Sequence, residues 1–115
     1  MTLTLWHNPR CRKSREAKQL LDDKGVEFEV REYLNEVPTV EELRVVLAKL
    51  GFDTARDWMR TKEADYRALS LKDETDETKL LEAMVSHPKL IERPVLISDD
   101  KAALGRPPEK VLGIL

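Results

Sequence analysis

Apolar residues alternate with polar ones over residues 3–7 and stop at Asn8-Pro9, a pair that turns the chain, so this segment predicts a first strand. Over residues 14–24 the apolar positions Ala17, Leu20 and Leu21 recur at helical spacing, and Gly25 follows as a C-terminal stop. Residues 26–33 alternate again, with Val26, Phe28 and Val30 facing one way. Strand, helix and strand in this order predict a parallel pair joined by a right-handed crossover.

The middle of the chain carries a helical pattern. Val40, Leu43, Leu47 and Leu50 share one face, and Glu42 stands three residues after Thr39 as in a capping box. Shorter helices are predicted over 53–59 and 64–69, then a longer one over 76–86 carrying Leu80, Leu81, Met84 and Val85 and closed by His87-Pro88. Arg93-Pro94 opens an apolar run over 95–98, Asp99-Asp100 turns it, and 101–104 returns, which predicts a hairpin. Pro107-Pro108 begins a last helix with Val111, Leu112 and Leu115 on its face. The sum is β-α-β, a helical stretch, then β-β-α. That order predicts an α/β, thioredoxin-like fold with a mixed sheet, a single domain over 1–115 with an all-helical insertion at about 39–87.

Composition narrows the function classes. A chain of 115 residues is the size of one domain, and 37% charged residues with a net charge of only -2 describe a solvated surface carrying both signs. A pI near 5.8 argues against a general nucleic-acid binder, which needs a basic excess. The longest apolar runs, such as Val95-Leu96-Ile97, fall far short of the roughly 20 residues of a spanning helix. The opening Met1-Thr2-Leu3-Thr4-Leu5-Trp6 lacks a signal peptide's charged start and apolar core, so no membrane association and a cytoplasmic location are expected. With no exposed apolar stripe and no heptad repeat, a monomer is expected. One cysteine excludes an internal disulfide, two histidines without neighbouring cysteines argue against a zinc site, and no motif for a metal or nucleotide cofactor is found, so no tightly bound cofactor is expected.

Cys11 follows the first strand, in His7-Asn8-Pro9-Arg10-Cys11-Arg12-Lys13-Ser14-Arg15. At the start of a helix it faces free backbone N–H groups and the positive end of the dipole, and both stabilise a thiolate. Arg10, Arg12, Lys13 and Arg15 add four cations that favour the charged form of a group with an unperturbed pKa of about 8.5. The competing reading of a lone cysteine is a small buried hydrophobe, which would gain nothing from four cationic neighbours. Ser14, three residues on, is either a hydroxyl donor to the thiolate or an ordinary residue of the first helical turn. His7 and Asn8 either orient the loop or pack at the strand end. Arg93 before Pro94, and Arg106 between Gly105 and Pro107, sit in constrained backbone that aims a side chain, and a guanidinium fork suits an oxyanion. For each, the alternative is a solvated surface charge.

Three segments in order, His7-Asn8-Pro9-Arg10-Cys11 with Ser14-Arg15, Leu90-Ile91-Glu92-Arg93-Pro94, and Gly105-Arg106-Pro107-Pro108, resemble the ArsC family of glutaredoxin-dependent arsenate reductases, in particular its short bacterial YfgD-type members. Trp58-Met59-Arg60-Thr61-Lys62-Glu63 is similar to the family's Leu-Met-Arg-x-Lys-Glu stretch, so the resemblance runs from about Leu3 to the end. It implies that Cys11 is the nucleophile, that Arg60, Arg93 and Arg106 form the oxyanion site, that His7, Asn8 and Ser14 belong to the active loop, and that Arg93-Pro94 is a cis peptide. It departs from the plasmid-type members at Arg12-Lys13, where Gly-Thr is common, and in stopping at Leu115.

The implied activity is reduction of arsenate to arsenite through a covalent Cys11 adduct. With no second thiol in the chain, glutathione serves as co-substrate and a glutaredoxin as partner. The phosphatase-like arsenate reductases carry Cys-x5-Arg, but the sixth residue after Cys11 is Ala17. Two other readings compete. Cys11-Arg12-Lys13-Ser14 resembles the Cys-x-x-Ser site of a monothiol glutathione-dependent oxidoreductase, which leaves the arginines idle. The fold also resembles Spx-type regulators that bind RNA polymerase, whose Cys-x-x-Cys switch is precluded by Ser14.

Overall fold

Glycine ends the first two helices because the chain must turn left-handed there. Gly25 (φ 70°) caps α1 (Arg12–Lys24) and Gly51 (φ 78°) caps α2 (Val40–Leu50), a conformation that costs other residues a steric penalty. The computed structural model describes residues 2–115. Its strands are β1 (Thr4–Trp6), β2 (Glu29–Arg31), β3 (Val95–Ile97) and β4 (Ala102–Leu104), and its further helices are α3 (Ala64–Ala68) and α4 (Glu77–Ser86). Short 3-10 helices occupy Ala55–Trp58, Leu71–Asp73, Pro88–Leu90 and Pro108–Ile114. Among the described residues, no helix is long and apolar enough to cross a membrane.

The chain divides into two compact units, one formed by the chain up to Glu36 with Arg93–Leu115, the other by Val37–Glu92. In the first, β1 runs parallel to β2 and antiparallel to β3, and β4 pairs antiparallel with β3, in the order β2-β1-β3-β4. This mixed sheet with its helices is a thioredoxin-like fold, as the element order predicts. Its core joins Leu3, Leu5, Ala17, Leu21, Leu96 and Val111, with Val26, Phe28, Leu112 and Ile114 packed around them. Each fully buried aliphatic side chain here contributes about 1.5–3 kcal/mol. Leu5 is central, facing Val30 on one side and Leu96 on the other.

Two expectations are corrected in this unit. The second strand is three residues long rather than spanning 26–33, and Val30 stays 42% exposed. β2 is an edge strand with a single neighbour, so only the residues opposite β1 enter the ladder. Val26 and Phe28 meet the core from the approach to the strand. The last helix is 3-10 over Pro108–Ile114, which leaves Leu115 45% exposed while Val111 is fully buried. Three residues per turn bring Val111 and Ile114 to one face and rotate Leu115 off it.

The helical unit begins with the predicted capping box: Glu42 N–H donates to Thr39 Oγ1 at 3.1 Å while Thr39 N–H donates to Glu42 Oε1 at 3.1 Å. Leu43 and Val46 are the buried residues of α2, and Leu80, Leu81 and Met84 those of α4, which packs against α2. The predicted face of α2 named Leu47 and Leu50, which are only partly buried, and omitted Val46. Polar groups close the rest. Thr54 Oγ1 donates to Glu77 Oε2 at 2.6 Å, and Ala55 N–H to Glu77 Oε1 at 2.8 Å.

Arg56 binds three acceptors, with Nε donating to Tyr66 Oη at 3.2 Å and Nη2 to the carbonyl oxygens of Leu71, at 2.8 Å, and Glu74. A charged donor shared among carbonyls that water reaches poorly is worth more than a neutral hydrogen bond. Arg56→Met keeps the stem and deletes the fork, and is expected to cost about 2 kcal/mol in urea unfolding. A cost below about 0.5 kcal/mol would show that water replaces the guanidinium without loss.

Candidate active site

The backbone N–H groups of the loop after β1 are the first to fix its course. His7 N–H donates to Arg31 O at 2.9 Å, Cys11 N–H to Asn8 O at 2.9 Å, and Arg10 N–H to the Asn8 side-chain oxygen at 3.0 Å. Asn8 thus forms a turn that delivers Cys11 to the N-cap of α1, where its backbone is extended (φ -93°, ψ 123°). Its carbonyl accepts from Arg15 N–H at 3.0 Å, the first bond of the helix. No acidic residue occupies the first turn, so nothing there offsets the positive end of the dipole.

Cys11 is buried, with 8% of its surface exposed. Burial raises its pKa and is the largest single influence. Together, the backbone N–H groups of Ser14 and Lys13 with the charge and side-chain hydrogen bond of Arg93 outweigh it, and the thiol titrates below its ordinary range. Arg106 Nη2 lies 3.9 Å from Sγ, the outer reach of a hydrogen bond to sulfur, so Arg93 supplies the stronger cation.

The structure corrects one source of this stabilisation. The side chains of Arg10, Arg12, Lys13 and Arg15 are not what lowers the thiol. All four residues are exposed; Arg12 pairs with Glu16 at 3.0 Å, and Arg15 Nη1 donates to Pro9 O at 2.9 Å. Charges in water are screened, whereas donors facing a buried sulfur are not.

Ser14 is fully buried in α1, and its hydroxyl is engaged elsewhere. Oγ accepts from Asn8 N–H at 3.0 Å and shares a hydrogen bond of 2.7 Å with His7 Nδ1. The sulfur therefore meets the amide of Ser14, while the hydroxyl ties the helix to the loop. Burial lowers the pKa of His7, reinforced by Lys18 and Arg15 and opposed by Glu32, which favours the uncharged ring. His7, Asn8 and Ser14 form one hydrogen-bonded support beneath Cys11. Ala17, the sixth residue after Cys11, is wholly buried in the core.

Arg93 and Arg106 come from two different segments and meet at the same place. Arg106 Nε donates to Arg93 O at 3.0 Å, and Gly105 N–H donates to Pro94 O at 2.8 Å. The Arg93-Pro94 peptide is cis, as the resemblance implies, and Arg106-Pro107 is cis as well. Arg60 belongs to the helical unit. There a bridge between Met59 and Ile91, with Arg60 N–H on Leu90 O at 2.8 Å, sets its backbone. Its guanidinium lies 3.4 Å from Glu63 and 3.8 Å from Glu92. Among the described residues, no group of three or more histidine, cysteine or acidic side chains could hold a metal ion.

The pH dependence of Cys11 alkylation by iodoacetamide tests the balance at the sulfur. Its midpoint is expected below about 8.5, the ordinary thiol value, and should rise in Arg93→Ala. A wild-type midpoint above that value would mean that burial wins over the donors.

Known proteins share both the sequence and the fold. The ArsC family model matches residues 6–114. An arsenate reductase of Haemophilus influenzae is 44% identical, with all of both chains aligned, and the Escherichia coli protein YfgD is 48% identical over 96% of this chain and 94% of its own. The structure of an arsenate reductase from Vibrio cholerae superposes with a TM-score of 0.96 at 45% identity, over 100% of this chain and 98% of that one. A lone cysteine at the mouth of α1, backed by Arg93 and Arg106 on a thioredoxin-like sheet, is thus met in a chain that belongs to the ArsC family.

Proposed function

We propose that this protein reduces arsenate to arsenite, with Cys11 as nucleophile and with glutathione and a glutaredoxin as the source of electrons. The observation that carries the reading is a thiol lowered by backbone amides and Arg93, with a second arginine 3.9 Å from the sulfur. A nucleophile beside two guanidinium groups suits a small oxyanion, whose developing charge the arginines offset. The arsenate reductases among its relatives support the choice of arsenic.

In this scheme the Cys11 thiolate displaces one arsenate oxygen, which takes up protons and leaves as water, and an As–S bond forms. A glutathione thiolate displaces a second oxygen in the same way. A glutaredoxin thiolate then attacks the glutathione sulfur, forming an S–S bond, and the As–S electron pair stays on arsenic, which becomes As(III). Water releases arsenite from Cys11 and restores the thiol. The glutaredoxin–glutathione disulfide is reduced by another glutathione. The loop of His7 and Asn8, tied to α1 by the Ser14 hydroxyl, holds the nucleophile in place.

NADPH consumption with arsenate, glutathione, glutaredoxin and glutathione reductase tests the proposal. Wild type should turn over and Cys11→Ser should not, while remaining folded. Arg93→Lys and Arg106→Lys should each lose at least about tenfold, because an ammonium cannot reproduce the guanidinium fork. Full activity in Cys11→Ser ends the mechanism. Reduction of a synthetic glutathione mixed disulfide, unaffected by arsenate, would favour a monothiol oxidoreductase instead.

A further inference from the structure

Gly105 follows β4 and precedes Arg106, and its backbone lies outside the left-handed region that favours glycine. Conformation therefore does not require glycine here; space does. A Cβ at Gly105 would fall 2.6 Å from Cγ and 3.2 Å from Cδ of Pro94, and 3.2 Å from Cγ1 of Val111. Carbon atoms pack at about 3.5–4.0 Å, so the shortest of these is a firm overlap. Neither neighbour can swing aside, because Pro94 is a buried ring and Val111 is fully buried in the core.

What lies on either side of this contact gives it meaning. Gly105 N–H donates to Pro94 O at 2.8 Å, so the two segments are joined face to face at the glycine. One residue before Pro94 is Arg93, which lowers the Cys11 thiol by charge and by hydrogen bond. One residue after Gly105 is Arg106, whose Nε donates to Arg93 O at 3.0 Å and whose Nη2 lies 3.9 Å from Cys11 Sγ.

We propose that Gly105 is a positioning residue for the thiolate site: by admitting the Pro94 ring against bare backbone, it sets Arg93 and Arg106 as one frame around Cys11. A side chain at this position pushes Pro94 outward, carries the Arg93 carbonyl away from Arg106 Nε, and draws both guanidinium groups from their places at the sulfur. Gly105 acts only through the arginines and touches no reacting atom. The inference rests on the reading of Cys11 as a working thiolate and leaves the identity of the oxyanion aside, so its test needs no arsenate.

The test is the pH dependence of iodoacetamide alkylation of Cys11 in the full chain, with thermal melting measured in parallel. Gly105→Ala is compared with Val46→Ala, a truncation in the buried face of α2. Both should melt earlier, but only Gly105→Ala should raise the alkylation midpoint toward that of a free thiol. A destabilised Gly105→Ala with the wild-type midpoint would overturn the proposal and leave the glycine a packing residue. A second measurement stands even if Gly105→Ala does not fold. In one frame, Arg93→Ala and Arg106→Ala should each move the midpoint nearly as far as the double variant. Shifts that simply add would show two independent arginines and would also overturn it.

Discussion

Cys11 is 8% exposed, so charging its sulfur carries a desolvation cost, and the arrangement around it answers that cost. Water cannot solvate the Cys11 thiolate fully, so the protein must supply donors fixed in place before the charge forms. Two come from the amides at the start of α1, which have no partner within the helix, and one from Arg93. The amides require that the cysteine sit at the N-cap, which the Asn8 turn and the Ser14 hydroxyl secure. The guanidinium must come from a different part of the chain.

That second requirement explains why the sheet is mixed. β1 delivers the cysteine loop at its C-terminal end, and antiparallel β3 begins opposite it, so Arg93-Pro94 arrives beside the same end of the sheet. β4 returns antiparallel to β3 and brings Gly105-Arg106 back to that end. The cysteine loop and the two ends of a hairpin distant from it in sequence are thus gathered by strand pairing, and the Arg106 contact with the Arg93 carbonyl ties those two ends directly. Leu5 and Leu96, both wholly buried, anchor the strands that carry the loop and the first arginine.

Much of this was legible in the sequence. Elements announced by a local chemical signal came out as expected: the Thr39–Glu42 box, Gly25 after α1, and the hairpin turned at Asp99-Asp100. The 3-10 helices at Leu71–Asp73 and Pro88–Leu90 went unforeseen because three residues carry no periodicity to read. At the site, Cys11, Arg93 and Arg106 could be named from residue type, position and resemblance, and the structure brings these three together. Part of the stabilisation was legible too: a cysteine at a helix start faces free backbone N–H groups, and those of Lys13 and Ser14 lower the thiol. The basic run beside Cys11 suggested side-chain charge as well, but those residues are exposed and Arg93, from another part of the chain, supplies the charge instead. The role of Gly105 was hidden as well, since the Pro94 ring it accommodates is a neighbour only in three dimensions.

The central claim is that Cys11 itself bonds to arsenic, and arsenic X-ray absorption on arsenate-loaded protein, without glutathione or glutaredoxin, addresses it most directly. The account predicts one sulfur in the arsenic coordination shell of the wild type and none in Cys11→Ser. Arsenic bound solely to oxygen in a wild-type protein that still turns over would contradict it.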